Sequence, residues 1–139
     1  MTSSPWICVV DDDADYRAIF QLFFQQSCPR YFIRLFAGGQ SFLDALPQMS
    51  QPPSLIILDR HMPGLDGHQT LEILKQHLSY KRIPVVMMSA HASSSEINNC
   101  YESGANSFIL KRLDPASLQV SMSTICQYWL ELNQVSMAA

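Results

Sequence analysis

Short apolar runs alternate with longer segments of helical periodicity along the whole chain. The length and branching of the runs are typical of buried strands. Five such strand-then-helix units predict an α/β fold, a doubly wound five-stranded parallel sheet with five helices and right-handed crossovers. The runs are Trp6 to Val10, Tyr31 to Phe36, Leu55 to Leu58, Val85 to Met88 and Ser107 to Leu110.

Helical signals fill the segments between these runs. The first helix is predicted from about Asp15 to Gln26, and we interpret its evenly spaced aromatic residues, Tyr16 included, as core packing. A short second helix is closed by Pro47, and a third follows Gly67 with Leu71, Ile73 and Leu74 facing inward and residues 75–77 facing outward.

The last two helices have stronger start signals. Ser93 and Glu96 have the spacing of a capping box, which predicts a fourth helix that ends at Gly104. Asp114 followed by Pro115 predicts the start of the fifth. Its apolar seam could extend beyond the core and support a symmetric homodimer, or Trp129 could only cover the edge of the core. The seam comprises Leu118, Met122, Ile125, Trp129 and Leu132.

Composition and charge narrow the function classes. The chain of 139 residues is 47% hydrophobic and 15% charged, with a net charge of −3, so it offers no basic footprint for nucleic acid. Membrane spans and a signal peptide are not expected, so we expect a cytoplasmic protein. Length favours one domain, 1–139, with a core of about 6–133 and short tails, the C-terminal one being Ser136 to Ala139. Four scattered cysteines favour neither disulfides nor a metal cage.

Polar residues follow four of the predicted strands directly. Because the carboxyl ends of parallel strands meet at one edge of a sheet, we expect Asp11, Asp12, Asp59, Ser89 and Lys111 to converge. Three converging carboxylates repel unless a cation is present, and Mg²⁺ with oxygen ligands is the natural occupant. A carboxylate nucleophile, a metal ion and an opposing lysine are the parts needed for phosphoryl transfer. Taken alone, Asp59 could equally be a turn former.

The order and spacing of five motifs carry a family resemblance. They are Val9-Val10-Asp11-Asp12, Leu58-Asp59, Met62-Pro63-Gly64-Leu65-Asp66-Gly67, Pro84 to Ala90, and Gly104-Ala105 to Lys111. Together they resemble the receiver domain of two-component response regulators, from Trp6 to about Leu132. The stretches from Lys81 to Pro84 and from Tyr128 to Asn133 are also similar to the small regulators paired with bacterial phytochrome histidine kinases.

The resemblance implies a flavodoxin-like topology and a role for each strand-end residue. Asp59 would accept a phosphoryl group from a sensor histidine kinase, one of phytochrome type being suggested, or from a phosphotransfer protein. Asp12, Asp59 and the backbone carbonyl of His61 would hold Mg²⁺, with Asp11 acting mainly through bound water. Ser89 and Lys111 would contact the phosphoryl oxygens.

The resemblance also implies a switch. Ser89 would move towards the phosphoryl group and Phe108 would rotate inward, which remodels the face of helix four, strand five and helix five. The output would be a protein contact, made by a signalling protein that is not an enzyme but assists its own phosphorylation and dephosphorylation. His61 and His91 occupy positions that tune hydrolysis in the family, so they could gate water, lie at the rim or bind a soft metal.

One residue near the predicted site, Arg112, departs from the family pattern. Arg112 stands where the family usually has proline after a cis bond, so we expect a trans bond or a strained loop that alters the aim of Lys111.

The alternative function is a phosphorylation-independent pseudo-receiver that binds other proteins. An aspartate-nucleophile phosphatase ranks last, because it would need a second aspartate where His61 stands. A flavodoxin-like cofactor binder is disfavoured by the three aspartates after the first strand.

Overall fold

The structure, a computed structural model, describes residues 4–112 and 114–135. One parallel sheet of five strands has the order β2-β1-β3-β4-β5. Successive strands are therefore added on one side of β1 first and on its other side afterwards, and the switch point lies between β1 and β3. This is the flavodoxin-like doubly wound order, which confirms the predicted fold class. The predicted tail of residues 136–139 lies outside the described residues. The strands are β1 Trp6–Val10, β2 Phe32–Phe36, β3 Leu55–Asp59, β4 Val85–Ser89 and β5 Ser107–Leu110.

The helices cover both faces of the sheet. The last one continues from its α-helical part into a π-helical turn, Gln127–Leu132, and the second is followed by a 3₁₀ turn, Leu46–Gln48. Over the described ranges, no helix has both the length and the apolarity needed to cross a membrane. The α-helices are α1 Ala14–Ser27, α2 Gly39–Ala45, α3 Gly67–Gln76, α4 Ser94–Glu102 and α5 Pro115–Cys126.

Strands β1, β3 and β4 are buried along their whole length, as their continuous apolar runs predict. Alternate residues of the sheet feed two separate clusters, one on each face. Phe42, Leu71 and Leu74 pack on one face, and Phe20, Phe24 and Met122 pack on the other. The sheet is therefore held rigid from both sides, and the loops at its carboxyl edge start from fixed points.

Side-chain caps set the starts of four helices. Asp13, Asp66, Ser93 and Asp114 each accept a hydrogen bond from a backbone amide in the first turn, and the boxes at Asp66 and Ser93 are reciprocal. Each cap satisfies an amide that has no partner within the helix. The predicted starts of α4 and α5 are confirmed.

One apolar position on the predicted helix faces is wrong. The sequence pattern places Ile73 on the inner face of α3, but it is 46% exposed because Leu71 and Leu74 already fill the space against the sheet.

The apolar seam of α5 runs past the core, which is one of the two alternatives that the sequence pattern leaves open. Trp129 packs partly against the core, whereas Leu132 is 64% exposed beyond the π-helical turn.

Lys75 was expected to face solvent, but its ammonium group is turned inward at the end of α3. Its Nζ donates to the carbonyl oxygens of Lys81 and Ile83, at 3.1 and 2.9 Å, and to Asn106 Oδ1 at 3.1 Å. Burial lowers the pKa of Lys75 to about 8. One side chain thus joins α3, the segment before β4 and the turn before β5.

Replacing Lys75 with methionine is expected to lower the free energy of unfolding by about 1–3 kcal/mol, because three acceptors, one of them part-buried, lose their donor. A lysine in an unfolded chain has a pKa of about 10.4. Between about pH 8 and that value, the unfolded chain binds one more proton at this position than the folded chain does. The wild type therefore gains stability as the pH rises through this range. Urea unfolding at about pH 7 and about pH 9.5 should show the gap to the variant widening. The exposed Lys81→Met is the control, and a gap that closes with pH would contradict the prediction.

Candidate functional site

Three carboxylates meet at the carboxyl edge of the sheet. Asp11 and Asp12 follow β1, Asp59 ends the neighbouring β3, and one oxygen of each lies within 4.8 Å of the others. Asp11 is fully buried, Asp59 is 5% exposed, and Asp12 is exposed. The convergence inferred from the strand ends is present in the fold.

Lys111 brings a positive charge to these carboxylates. It follows β5, and its Nζ lies 2.8 Å from Asp11 Oδ2 and 3.4 Å from Asp59 Oδ2. Burial alone would lower the pKa of Lys111, but the carboxylates of Asp11 and Asp59 outweigh burial and raise it. The lysine therefore stays charged and faces the same point as the aspartates.

The pKa of Asp59 reflects the close approach of these charged groups. Burial, followed by the charge of Asp11, raises the pKa of Asp59 to about 7, although Lys111 and the amide of His61 oppose the shift. One lysine does not neutralise three carboxylates, so the site carries a net negative charge. Oxygen ligands that repel one another at this spacing fit a hard divalent cation.

Ser89 and Phe108 lie at the predicted positions but make specific contacts of their own. Ser89 ends β4 fully buried, and its hydroxyl donates to the carbonyl oxygen of His91 at 2.7 Å. Phe108 on β5 packs partly against the core, and its amide donates to the hydroxyl of Tyr101 at 3.0 Å. The hydroxyl of Ser89 and the backbone of Phe108 are thus both held by hydrogen bonds to neighbours.

Both histidines are exposed at the rim of the site. His61 Nε2 lies 3.0 Å from Glu96 Oε2, and the amide of His61 donates to Asp59 Oδ1 at 3.4 Å. In the described part of the chain, the group of potential metal ligands comprises the three aspartates and neither His61 nor His91. The tuning role of both histidines stays a prediction.

The loop after Asp59 contains a half-buried arginine that sequence reasoning missed. Arg60 reaches Asp66 Oδ2 at 3.4 Å and Glu96 Oε2 at 3.9 Å, and its amide donates to the carbonyl of Met88 at 2.7 Å. Glu96 was expected only as a capping residue, but it also joins this loop to the first turn of α4. A charged residue next to a buried acid was the available signal, since a buried guanidinium needs a carboxylate partner.

The peptide bond between Lys111 and Arg112 is trans, as are the other peptide bonds of the described residues. Of the two expected outcomes, the trans bond is the one found. Lys111 nevertheless points at Asp59, as its distances show. The side chain that holds this loop is Tyr16, which sequence reasoning assigned only to the core.

Sequence comparison now adds to this geometry. The family model described as response regulator receiver domain matches residues 7–123. The chain belongs to this family. The receiver domain is thus a two-component signalling domain, from a family in which phosphorylation of an aspartate carries the signal.

Two curated relatives of this receiver domain match it over most of their own length. Two-component response regulator ORR5 from Oryza sativa subsp. japonica is 34% identical over 116 residues, which cover 83% of this chain and 84% of that protein. ORR11 from Oryza sativa subsp. indica is 31% identical over 122 residues, covering 87% of this chain and 80% of that protein.

Solved structures show the same fold. The phosphorylated cyanobacterial phytochrome response regulator RcpA superposes with a TM-score of 0.89 at 24% identity, covering 97% of this chain and 100% of that chain. The Mn²⁺-bound form of response regulator Rcp1 superposes with a TM-score of 0.85 at 25% identity, covering 96% and 99%. The receiver domain of sensor histidine kinase PA1611 from Pseudomonas aeruginosa, at 21% identity and a TM-score of 0.75 over 92% and 98%, has magnesium in its active-site cleft.

Proposed function

We propose that this receiver domain accepts a phosphoryl group on Asp59 from a histidine kinase or phosphotransfer protein and signals through a protein contact. The observation that carries the proposal is the convergence of Asp59, its two neighbouring aspartates and Lys111 at one edge of the sheet. A structural ion pair would need one carboxylate for one lysine. Three carboxylates around one lysine cost stability and are better explained by chemistry than by packing.

Phosphoryl transfer to Asp59 would be assisted by two side chains, those of Lys111 and Ser89. A carboxylate oxygen of Asp59 forms a bond to the phosphorus, and the bond from phosphorus to the donor breaks, so the donor leaves with the electron pair. Lys111, already near Asp59 Oδ2, is placed to pair with a phosphoryl oxygen. Ser89 would donate to another oxygen once its hydroxyl leaves the carbonyl of His91. Positioning and charge stabilisation supply most of the rate in such reactions.

The donor set fits Mg²⁺. Asp11, Asp12 and Asp59 would hold the ion with the backbone carbonyl of His61, and Asp11 would act mainly through water. Bound there, the ion would neutralise the charge that accumulates on the phosphoryl oxygens. The raised pKa of Asp59 supports this role, because Lys111 and the amide of His61 do not offset burial and the charge of Asp11, and a bound cation would add the positive charge that is needed.

The output would arise at α4, β5 and α5. If Ser89 turns towards a phosphoryl group, its bond to His91 is lost, and Phe108 could move into the space that opens beside β4. A phytochrome-type kinase remains a proposal that rests on similarity to the small phytochrome regulators. The homodimer through the last helix also remains a prediction, and the exposed Leu132 is its most direct contact candidate.

The proposal is tested by incubating the protein with acetyl phosphate and recording its intact mass with and without Mg²⁺. One added phosphoryl group per chain that depends on Mg²⁺, and that peptide mapping assigns to residues 55–60, is the expected result. A folded protein that binds Mg²⁺ yet takes no phosphoryl group from the donor or from a histidine kinase would favour the pseudo-receiver instead.

A further inference from the structure

Tyr16 lies in the first turn of α1 and contacts both the side chain of Lys111 and the backbone that follows it. The centroid of its ring is 4.0 Å from Lys111 Nζ, which is a cation–π distance. Its hydroxyl donates to the carbonyl oxygen of Arg112 at 2.9 Å, across 96 positions of sequence. The same side chain therefore touches the charged end of Lys111 and the backbone that follows it.

The other partners of the Lys111 ammonium group are shared. They are the carboxylates of Asp11 and Asp59, which are also the proposed ligands of Mg²⁺ and, for Asp59, the proposed phosphoacceptor. When those oxygens take a cation or a phosphoryl group, the lysine loses part of what holds it. A lysine side chain has four flexible carbons and would then sample other directions. The ring of Tyr16 is a contact for which neither the cation nor the phosphoryl group competes.

The backbone around Lys111 is held at two points. Its own amide donates to the carbonyl of Ser89 at 2.7 Å, which ends the pairing of β5 with β4. The next carbonyl, that of Arg112, is held by the hydroxyl of Tyr16. Burial and the nearby carboxylates raise the pKa of Tyr16, although the charge of Lys111 opposes the shift.

Tyr16 is itself well fixed. Its amide donates to Asp13 Oδ1 at 3.4 Å, so the cap of α1 sets its backbone. The next residue, Arg17, donates to the carbonyl of Asp11 at 2.8 Å, which joins the first turn of α1 to the aspartate pair after β1. The ring is thus carried by a rigid element that starts at the site.

We propose that Tyr16 is a positioning residue for Lys111, whose ring and hydroxyl keep the ammonium group aimed at Asp59 when cation and phosphoryl group occupy the carboxylates. This inference rests on the proposed function of the same site. It also explains how Lys111 can keep its aim although the following loop has Arg112 and a trans bond.

Two variants separate the contributions of Tyr16. Tyr16→Phe keeps the ring but loses the bond to Arg112, and Tyr16→Leu loses both. With acetyl phosphate and saturating Mg²⁺, we expect the phosphorylation rate to fall at least about tenfold in Tyr16→Leu and about two- to fivefold in Tyr16→Phe. Mg²⁺ affinity should change by less than about threefold in both, because the ligands remain. The controls are Tyr80→Phe and Tyr80→Leu, because the ring of Tyr80 stacks on His77.

A direct measurement of position accompanies the rates. An aromatic ring shifts protons above its face upfield, so NMR of the ε-methylene protons of Lys111 should show this shift in the wild type and in Tyr16→Phe, and its loss in Tyr16→Leu. A wild-type rate in Tyr16→Leu would overturn the proposal, as would a retained shift, or a loss of rate matched by an equal loss of Mg²⁺ affinity and thermal stability. If the wild type takes no phosphoryl group, the proposed function fails, while the NMR comparison still decides whether Tyr16 holds Lys111.

Discussion

Asparagine in place of Asp59 is expected to abolish phosphoryl incorporation completely and, in the same protein, to stabilise the metal-free fold. The first effect follows because an amide oxygen is too weak a nucleophile to form the bond to phosphorus. The second follows from crowding, since the amide has no charge to repel Asp11. Intact mass after incubation with acetyl phosphate measures the first effect, and thermal unfolding in a chelator measures the second.

The size of the stability effect depends on pH. Burial and Asp11 raise the pKa of Asp59 to about 7, whereas an aspartate in an unfolded chain titrates near pH 3.9. Between those values the folded chain binds the additional proton, so the wild type loses stability as the pH rises towards 7. Asparagine avoids this loss, and the variant should be more stable by about 1–3 kcal/mol above pH 7, with the difference vanishing near pH 4.

Asp44→Asn is the matched control for this experiment. Asp44 is exposed on α2, where it accepts a bond from Gln40, so its loss should change neither phosphorylation nor the pH profile of stability. If Asp59→Asn still takes a phosphoryl group, another residue is the acceptor. If it is less stable than the wild type at neutral pH, the three carboxylates do not repel as their spacing implies.

Sequence alone predicted the fold and most of the site for one physical reason. A buried strand has to end where a polar side chain can reach solvent or a partner, so the residue after each apolar run marks the sheet edge. Asp59, Ser89 and Lys111 were found in this way, and parallel topology then brings their strand ends to one side. Their convergence needed no knowledge of side-chain orientation.

The contacts that the sequence did not predict are those that join different elements of the fold. Periodicity placed Tyr16 on the inner side of α1, which is partly true, but it could not show that its ring faces Lys111. The same holds for Lys75, whose charge indicated solvent although three acceptors lie within its reach. Helical patterns report which side of a helix is covered but not which distant polar group covers it.

Alanine in place of Gly67 is expected to cause the largest loss of stability at the site. Gly67 begins α3 directly beneath the loop of Asp59, and its amide donates to the carbonyl of Arg60 at 3.1 Å. A Cβ atom there would overlap the carbonyl oxygen of Asp59 and lie 2.8 Å from the Cα atom of Arg60. These are backbone atoms, which cannot rotate away, so the loop or the start of α3 must shift. We expect the free energy of unfolding to fall by about 3 kcal/mol.

The same shift should reach the chemistry. Displacing the reacting carboxylate by about 1 Å can cost on the order of 100-fold in rate, so phosphorylation of Gly67→Ala by acetyl phosphate should slow by about that factor even at temperatures where the variant is folded. Gly38→Ala is the control, because Gly38 has an extended backbone and the nearest atom to its Cβ position is Ser41 Oγ at 3.9 Å. Its cost should stay below about 1 kcal/mol, with an unchanged rate. A Gly67→Ala protein that matches this control in unfolding and rate would show that the Asp59 loop does not depend on the close approach of α3.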